Sequence, residues 1–119
     1  MVTNYDYDIL SYHLHYQQEI SVMNKTQYYL MKLAEEAAEL SQVALKCAAF
    51  GMDEVHPNTL EKNYDALIKE WNDVNACAIL VETMDDRFEY DTDLELLDMK
   101  FHKIEKYRKI SVGNGMSTE

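Results

Sequence analysis

The sequence predicts an all-α fold, a bundle of four helices, and three observations carry that reading. Apolar residues recur three and four apart over long stretches, as one buried face of a helix requires. One proline and three glycines in 119 residues leave room for long uninterrupted elements. No segment alternates apolar and polar residues in the manner of a half-buried strand.

The first twenty residues are rich in tyrosine (Tyr5, Tyr7, Tyr12, Tyr16), with Ile9, Leu10 and Leu14 between them, and predict a helix over about 8–18. The second helix starts near Asn24 or Thr26, either of which can cap it. It runs to Phe50, where Gly51 supplies a left-handed stop. Its stripe is Leu30, Leu33, Ala37, Leu40, Ala44, Cys47 and Ala48. His56-Pro57-Asn58 punctuates the chain, and Asn58 with Glu61 resembles a capping box for a third helix. That helix places Leu60, Tyr64, Leu67, Trp71, Val74, Ala78 and Val81 on one face. Asp85-Asp86-Arg87 is a polar break. Thr92 with Glu95 then opens a fourth helix, with Leu94, Leu97, Phe101, Ile104 and Arg108 in register. The expected organisation is a single domain over 1–110 and a disordered tail over 111–119, where periodicity is lost.

Composition narrows the function. Apolar residues make up 47% of the chain, enough for a core, although a chain this short gains from self-association. Eleven Lys and Arg against 22 Asp and Glu leave a net charge of −11. Such a surface repels polyanions, so a nucleic-acid partner is not expected. No apolar run reaches the roughly eighteen residues of a membrane span, and no charged-then-apolar leader is present. The expected compartment is the cytoplasm, that of the host if the chain is phage-encoded. Cys47 and Cys77 both fall inside helical patterns and read as reduced, buried thiols.

The chemistry lies in two acidic clusters, Glu35-Glu36-Ala37-Ala38-Glu39 and Glu70-Trp71-Asn72-Asp73. At about 100° per residue, Glu36 shares a row with Leu33, Leu40 and Val43, and Glu39 borders Val43 and Phe50. On the next helix Glu70 falls between Leu67, Val74 and Cys77, with Asp73 beside Cys77 and Ala66. These positions edge the core, where ionised carboxylates lose water and unpaired charge is costly. Lys32 stands one turn from Glu36 and Lys69 points elsewhere, too few cations to pair the acids. Hard oxygen donors without Cys or His point to Mg²⁺, or Mn²⁺, and not to Zn²⁺. A carboxylate cluster on two facing helices is a platform for metal-assisted phosphoanhydride chemistry. A di-iron bundle would need Glu-x-x-His on two helices. None of His13, His15, His56 or His102 follows a Glu at that spacing.

Leu33-Ala34-Glu35-Glu36-Ala37-Ala38-Glu39-Leu40, followed by Glu70-Trp71-Asn72-Asp73-Val74, resembles the EExxE…ExxD signature of MazG-like all-α nucleoside triphosphate pyrophosphohydrolases. The similarity spans about 27–108. The resemblance implies catalytic acids Glu35, Glu36, Glu39, Glu70 and Asp73, of which Glu36, Glu39, Glu70 and Asp73 would be Mg²⁺ ligands. Glu35 would be a ligand, an outer partner or a water-orienting base. It further implies hydrolysis of a nucleoside triphosphate between the α- and β-phosphates, and assembly as a homodimer or dimer of dimers.

Lys100, Lys103, Lys106 and Arg108 place positive charge on the fourth helix. Lys100 at the core edge, and then Lys103, are the candidate phosphate contacts. Tyr12, Tyr16, Gln17, Tyr28 and Trp71 are candidates for holding a base, and the preferred base stays open. Apolar residues beyond a single stripe (Met31, Ala34, Leu45, Ile68, Ile79) also favour a homo-oligomer. The expected activity is Mg²⁺-dependent conversion of a standard or modified (d)NTP to monophosphate and pyrophosphate, in control of the nucleotide pool. Three alternatives are a nucleotide-sequestering protein of this fold, a non-enzymatic acidic helical protein, and a related pyrophosphohydrolase acting on phosphoribosyl intermediates.

Overall fold

The computed structural model of the chain describes residues 22–88 and 93–119. Three α-helices follow one another: α1 (Lys25–Phe50), α2 (Asn63–Met84) and α3 (Leu94–Gly113). No strand occurs among the described residues, and the all-α expectation holds for them. The helix expected over 8–18 lies outside the described residues, as do Tyr12, Tyr16 and Gln17. By backbone packing the chain falls into two compact units, Met1–Glu89 and Tyr90–Glu119.

Within the first unit α1 and α2 pack against each other as a helical hairpin. Its buried centre is small: Cys47 from α1, and Cys77, Ala78 and Val81 from α2. Leu33, Leu40, Val43, Leu67 and Val74 are half-buried around it. α1 begins as its sequence predicts. The Asn24 side chain accepts from the Gln27 N–H at 2.8 Å, and the Gln27 side chain accepts from the Asn24 N–H at 3.0 Å, a reciprocal capping box. At the other end Gly51 adopts φ 98°, a backbone state that a side chain would strain.

α2 starts later than the sequence suggests. Asn58 and Glu61 do not cap it, and Leu60 is not on its face. Instead the connection folds back on itself through an isolated antiparallel bridge between Val55 and Lys62. The His56 N–H donates to the Glu61 carbonyl at 2.8 Å, and the Leu60 N–H donates to the His56 carbonyl at 2.9 Å. Leu60 takes φ 60° in this turn and is exposed. The helix then begins without a side-chain cap, because loop carbonyls do that work. The N–H groups of Asn63 and Tyr64 donate to the carbonyls of Glu54 and Met52, both at 2.9 Å. The Asn63 side-chain amide also donates to the Gly51 carbonyl, tying the two helix ends together. Periodicity cannot register such non-local backbone partners.

The polar break falls where expected, with α2 ending at Met84 and Arg87 paired to Asp85. α3 is capped by Asp93, whose carboxylate accepts from the N–H groups of Glu95 and Leu96, both at 3.0 Å. Thr92, the expected cap, lies outside the described residues. α3 also runs through Ser111, Val112 and Gly113, into the segment expected to be disordered. Beyond it Gly115, at φ 76°, turns the chain so that the Met116 N–H reaches the Ser111 carbonyl at 2.9 Å. The hydroxyls of Ser111 and Ser117 pair at 2.6 Å. Backbone bonding to the last carbonyls of the helix, not apolar periodicity, organises this end.

Candidate metal centre

The hairpin brings the two acidic clusters face to face. Because α1 and α2 run antiparallel with Cys47, Cys77 and Val81 at their contact, the rows that carry Glu36 on α1 and Glu70 on α2 meet at one level. One carboxylate oxygen from each of Glu36, Glu70 and Asp73 lies within 4.8 Å of the other two. All three residues are half-buried. Glu70 Oε2 is buried and has no hydrogen-bond partner among the described residues. A buried carboxylate oxygen without a partner is a costly arrangement that a cation relieves.

Electrostatics agree with the geometry. Burial pushes the Glu36 carboxyl above its ordinary value, and the neighbouring charges of Glu39, Asp73 and Glu70 add to the shift. Glu70 is raised in the same way, by burial first and then by Glu39, with Lys69 opposing. Three acids held together, two of them reluctant to ionise, form a site starved of positive charge.

The donor set suits a hard cation. All three ligand atoms are carboxylate oxygens, the preference of Mg²⁺ and Mn²⁺. Cys77 stands one turn beyond Asp73, but burial, and then the Glu36 charge, push its thiol upward, so the sulfur stays protonated. Three carboxylates leave coordination positions for water and for a ligand's oxygens, the usual habit of Mg²⁺.

The other expected site residues are placed as follows. Glu39 is exposed and lies beside the triad, close enough to bear on both Glu36 and Glu70, yet it is not among the three atoms within 4.8 Å. Glu35 turns away. Its carboxylate accepts from Lys32 Nζ at 2.9 Å in an ion pair whose side chains are 37% (Lys32) and 56% (Glu35) exposed. The Lys32–Glu35 pairing was open to sequence reading, since the two stand one turn apart on α1. What the sequence could not signal is the orphaned Oε2 of Glu70, which depends on the helix facing it. Lys100 and Lys103 belong to α3 in the second unit, where both are exposed. Trp71, next to Glu70, is 56% exposed, and Tyr28 meets Tyr29 edge-on at 6.2 Å. Two surface cavities, of 490 Å³ at the end of α3 and 330 Å³ beside the α1–α2 connection, are lined by other residues than these acids.

No protein-family model, curated protein or solved structure matches the chain. No helix among the described residues is long and apolar enough to cross a membrane.

Proposed function

We propose that this protein is a Mg²⁺-dependent nucleoside triphosphate pyrophosphohydrolase, with Mn²⁺ as a substitute metal. It cleaves a standard or modified (d)NTP to the monophosphate and pyrophosphate. The observation that carries this reading is the Glu36, Glu70 and Asp73 triad, three oxygens within 4.8 Å with a buried Glu70 oxygen lacking a partner. The resemblance of the two acidic clusters to the EExxE…ExxD signature supports the choice of reaction.

Glu36, Glu70 and Asp73 would hold the cation, with Glu39 beside them at the rim. When bound, a divalent cation supplies charge for phosphate oxygens and acidifies a water. The chain's own part is to position and to exclude. The helices fix the carboxylates, and the half-buried setting limits water around them, which strengthens every charge interaction there. Apolar side chains left exposed on the hairpin, Leu45, Phe50, Trp71 and Ile79 among them, support a homo-oligomer as the working form.

The test is pyrophosphate release from a panel of NTPs and dNTPs with Mg²⁺ or Mn²⁺, alongside Glu39→Gln and Asp73→Asn. Monophosphate and pyrophosphate from one nucleotide, lost in Asp73→Asn and reduced in Glu39→Gln, is the expected result. Binding of a nucleotide without turnover would instead make the protein a sequestering one. Silence throughout, with no response to Glu70→Gln, would leave a non-enzymatic acidic helical protein.

A further inference from the structure

A triphosphate brings several negative charges to a site already built from three carboxylates with Glu39 beside them. One divalent cation leaves part of that charge unbalanced, and a lysine close by would offset it. The cations of the first unit are Lys25, Lys32, Lys46, Lys62, Lys69 and Arg87. Lys25 opens α1, Lys62 precedes α2, and Lys46 lines the cavity at the connection. Arg87 is tied to Asp85 by its Nε at 2.9 Å. Lys69 directly precedes Glu70, stands about 100° from it around the helix and is exposed, so its charge acts on Glu70 from outside that residue's row. Lys32 differs from all of these. It is half-buried, four residues before Glu36 and in the same row.

We infer that Lys32 contacts the polyphosphate tail of the substrate, resting on Glu35 until a phosphate oxygen takes the place of that carboxylate. The inference rests on the pyrophosphohydrolase reading above. Its geometry is the 2.9 Å pair from Lys32 Nζ to Glu35, one turn from a triad ligand. The hydrogen bond and charge of Glu35 hold the amino group above its ordinary value, so it stays positive. The Glu36 charge also acts on this amino group, as their shared row on α1 leads one to expect. An ion pair with one partner half-buried and the other exposed is still open to water and weakly held, so exchange of partners is easy. A lysine suits the task because its ammonium is a compact charge on a flexible stem. Glu35 therefore acts as a holder of Lys32 and not as a metal ligand.

The test separates this contact from the metal site and from turnover. Inorganic tripolyphosphate with Mn²⁺ is titrated by calorimetry into the full chain, into Lys32→Gln, Lys32→Arg and the control Lys69→Gln, and Mn²⁺ alone is titrated in parallel. Lys32→Gln is expected to weaken tripolyphosphate binding about tenfold or more, the loss of a charge-assisted hydrogen bond. Lys32→Arg should recover most of it, Lys69→Gln should change little, and Mn²⁺ binding alone should not weaken in any of the three. Equal tripolyphosphate affinity in Lys32→Gln and the parent chain overturns the inference. An equal loss in Lys69→Gln also overturns it, as general surface charge, and so does a parent chain that binds no tripolyphosphate. Failure of the pyrophosphohydrolase reading shows separately, as tripolyphosphate binding without pyrophosphate release from any nucleotide.

Discussion

The α1–α2 hairpin and α3 have comparable sequence patterns and very different structural outcomes. Both show apolar residues at helical spacing, and α1 and α3 carry a side-chain N-cap. Yet the hairpin buries Cys47, Cys77, Ala78 and Val81, whereas α3 has no buried residue, with Phe101 and Ile104 more than half exposed. The difference teaches that an amphipathic stripe states what a helix can bury and not what it does bury. In the hairpin, packing also sets chemistry, because the contact that buries Val81 places Glu70 opposite Glu36. On α3 the charges of Lys100 and Lys103 have no comparable frame within their own unit.

The sharpest way to break this comparison is at the triad. Glu70→Gln should abolish the thermal stabilisation given by Mn²⁺ and lower pyrophosphate release about 100-fold or more, as loss of a ligand to a catalytic cation does. Thermal melts with and without metal check the first, and a coupled pyrophosphate assay checks the second. Parallel changes of Lys100 or Lys103 to Gln should leave the metal stabilisation intact.

Next in size is the core. Val81 is 3% exposed, so Val81→Ala should cost about 2 kcal/mol in urea unfolding of the hairpin. Ile104 is 53% exposed, and Ile104→Ala should cost no more than about 0.5 kcal/mol if its face stays in water. A larger cost that grows with protein concentration would instead show that a second copy covers α3.

The caps sharpen the contrast at a smaller scale. Asn24→Ala and Asp93→Ala each remove a side-chain acceptor at a helix start and should cost about 1 kcal/mol. Lys62→Ala should cost less, since α2 draws its first partners from the carbonyls of Met52 and Glu54.

The smallest effect is with pH. Glu36 and Glu70 titrate above their ordinary values in the folded chain, so the folded state binds more protons than the unfolded one in that window. Stability of the metal-free protein should therefore fall as pH rises from the ordinary carboxylate range through the raised values. Saturating Mg²⁺ should flatten or reverse this slope near neutrality and lose its effect as acid protonates the ligands. Melting temperatures across pH 4 to 8 (roughly the span around ordinary carboxylate values), with and without Mg²⁺, check the sign. Asp85 behaves oppositely. Its bonds to Arg87 hold the carboxyl at about 2, so its contribution is present above the ordinary value and is lost only as pH falls toward about 2.

Much of this was legible in the chain itself. Capping signals set the end of α1 at Phe50 and narrowed its start to Asn24 or Thr26, because helix caps act locally. Helical spacing also set Glu36, Glu70 and Asp73 at the margin of apolar rows, which is where the structure finds them half-buried. Legibility failed where partners are distant along the chain. Leu60 reads as a core residue of α2 by spacing, yet the Val55–Lys62 bridge holds it outside the helix. The end of α3 reads as structureless because its order comes from backbone bonds to Ser111 and not from side-chain pattern. Glu39 has the same spacing credentials as Glu36, but its position around α1 leaves it on the exposed rim of the triad.

By itself the sequence determined the helical class, the acidic character, the end of α1 and the set of acids from which a cation site could be drawn. These follow from local spacing and side-chain chemistry, which act within a turn or two of helix. Only the tertiary structure decided which acids converge, and that one oxygen of Glu70 is buried without a partner. Those outcomes depend on the rotation of α1 against α2. A rotation of that kind is set by how small buried residues such as Cys47 and Ala78 let two helices meet, and no single helix carries it.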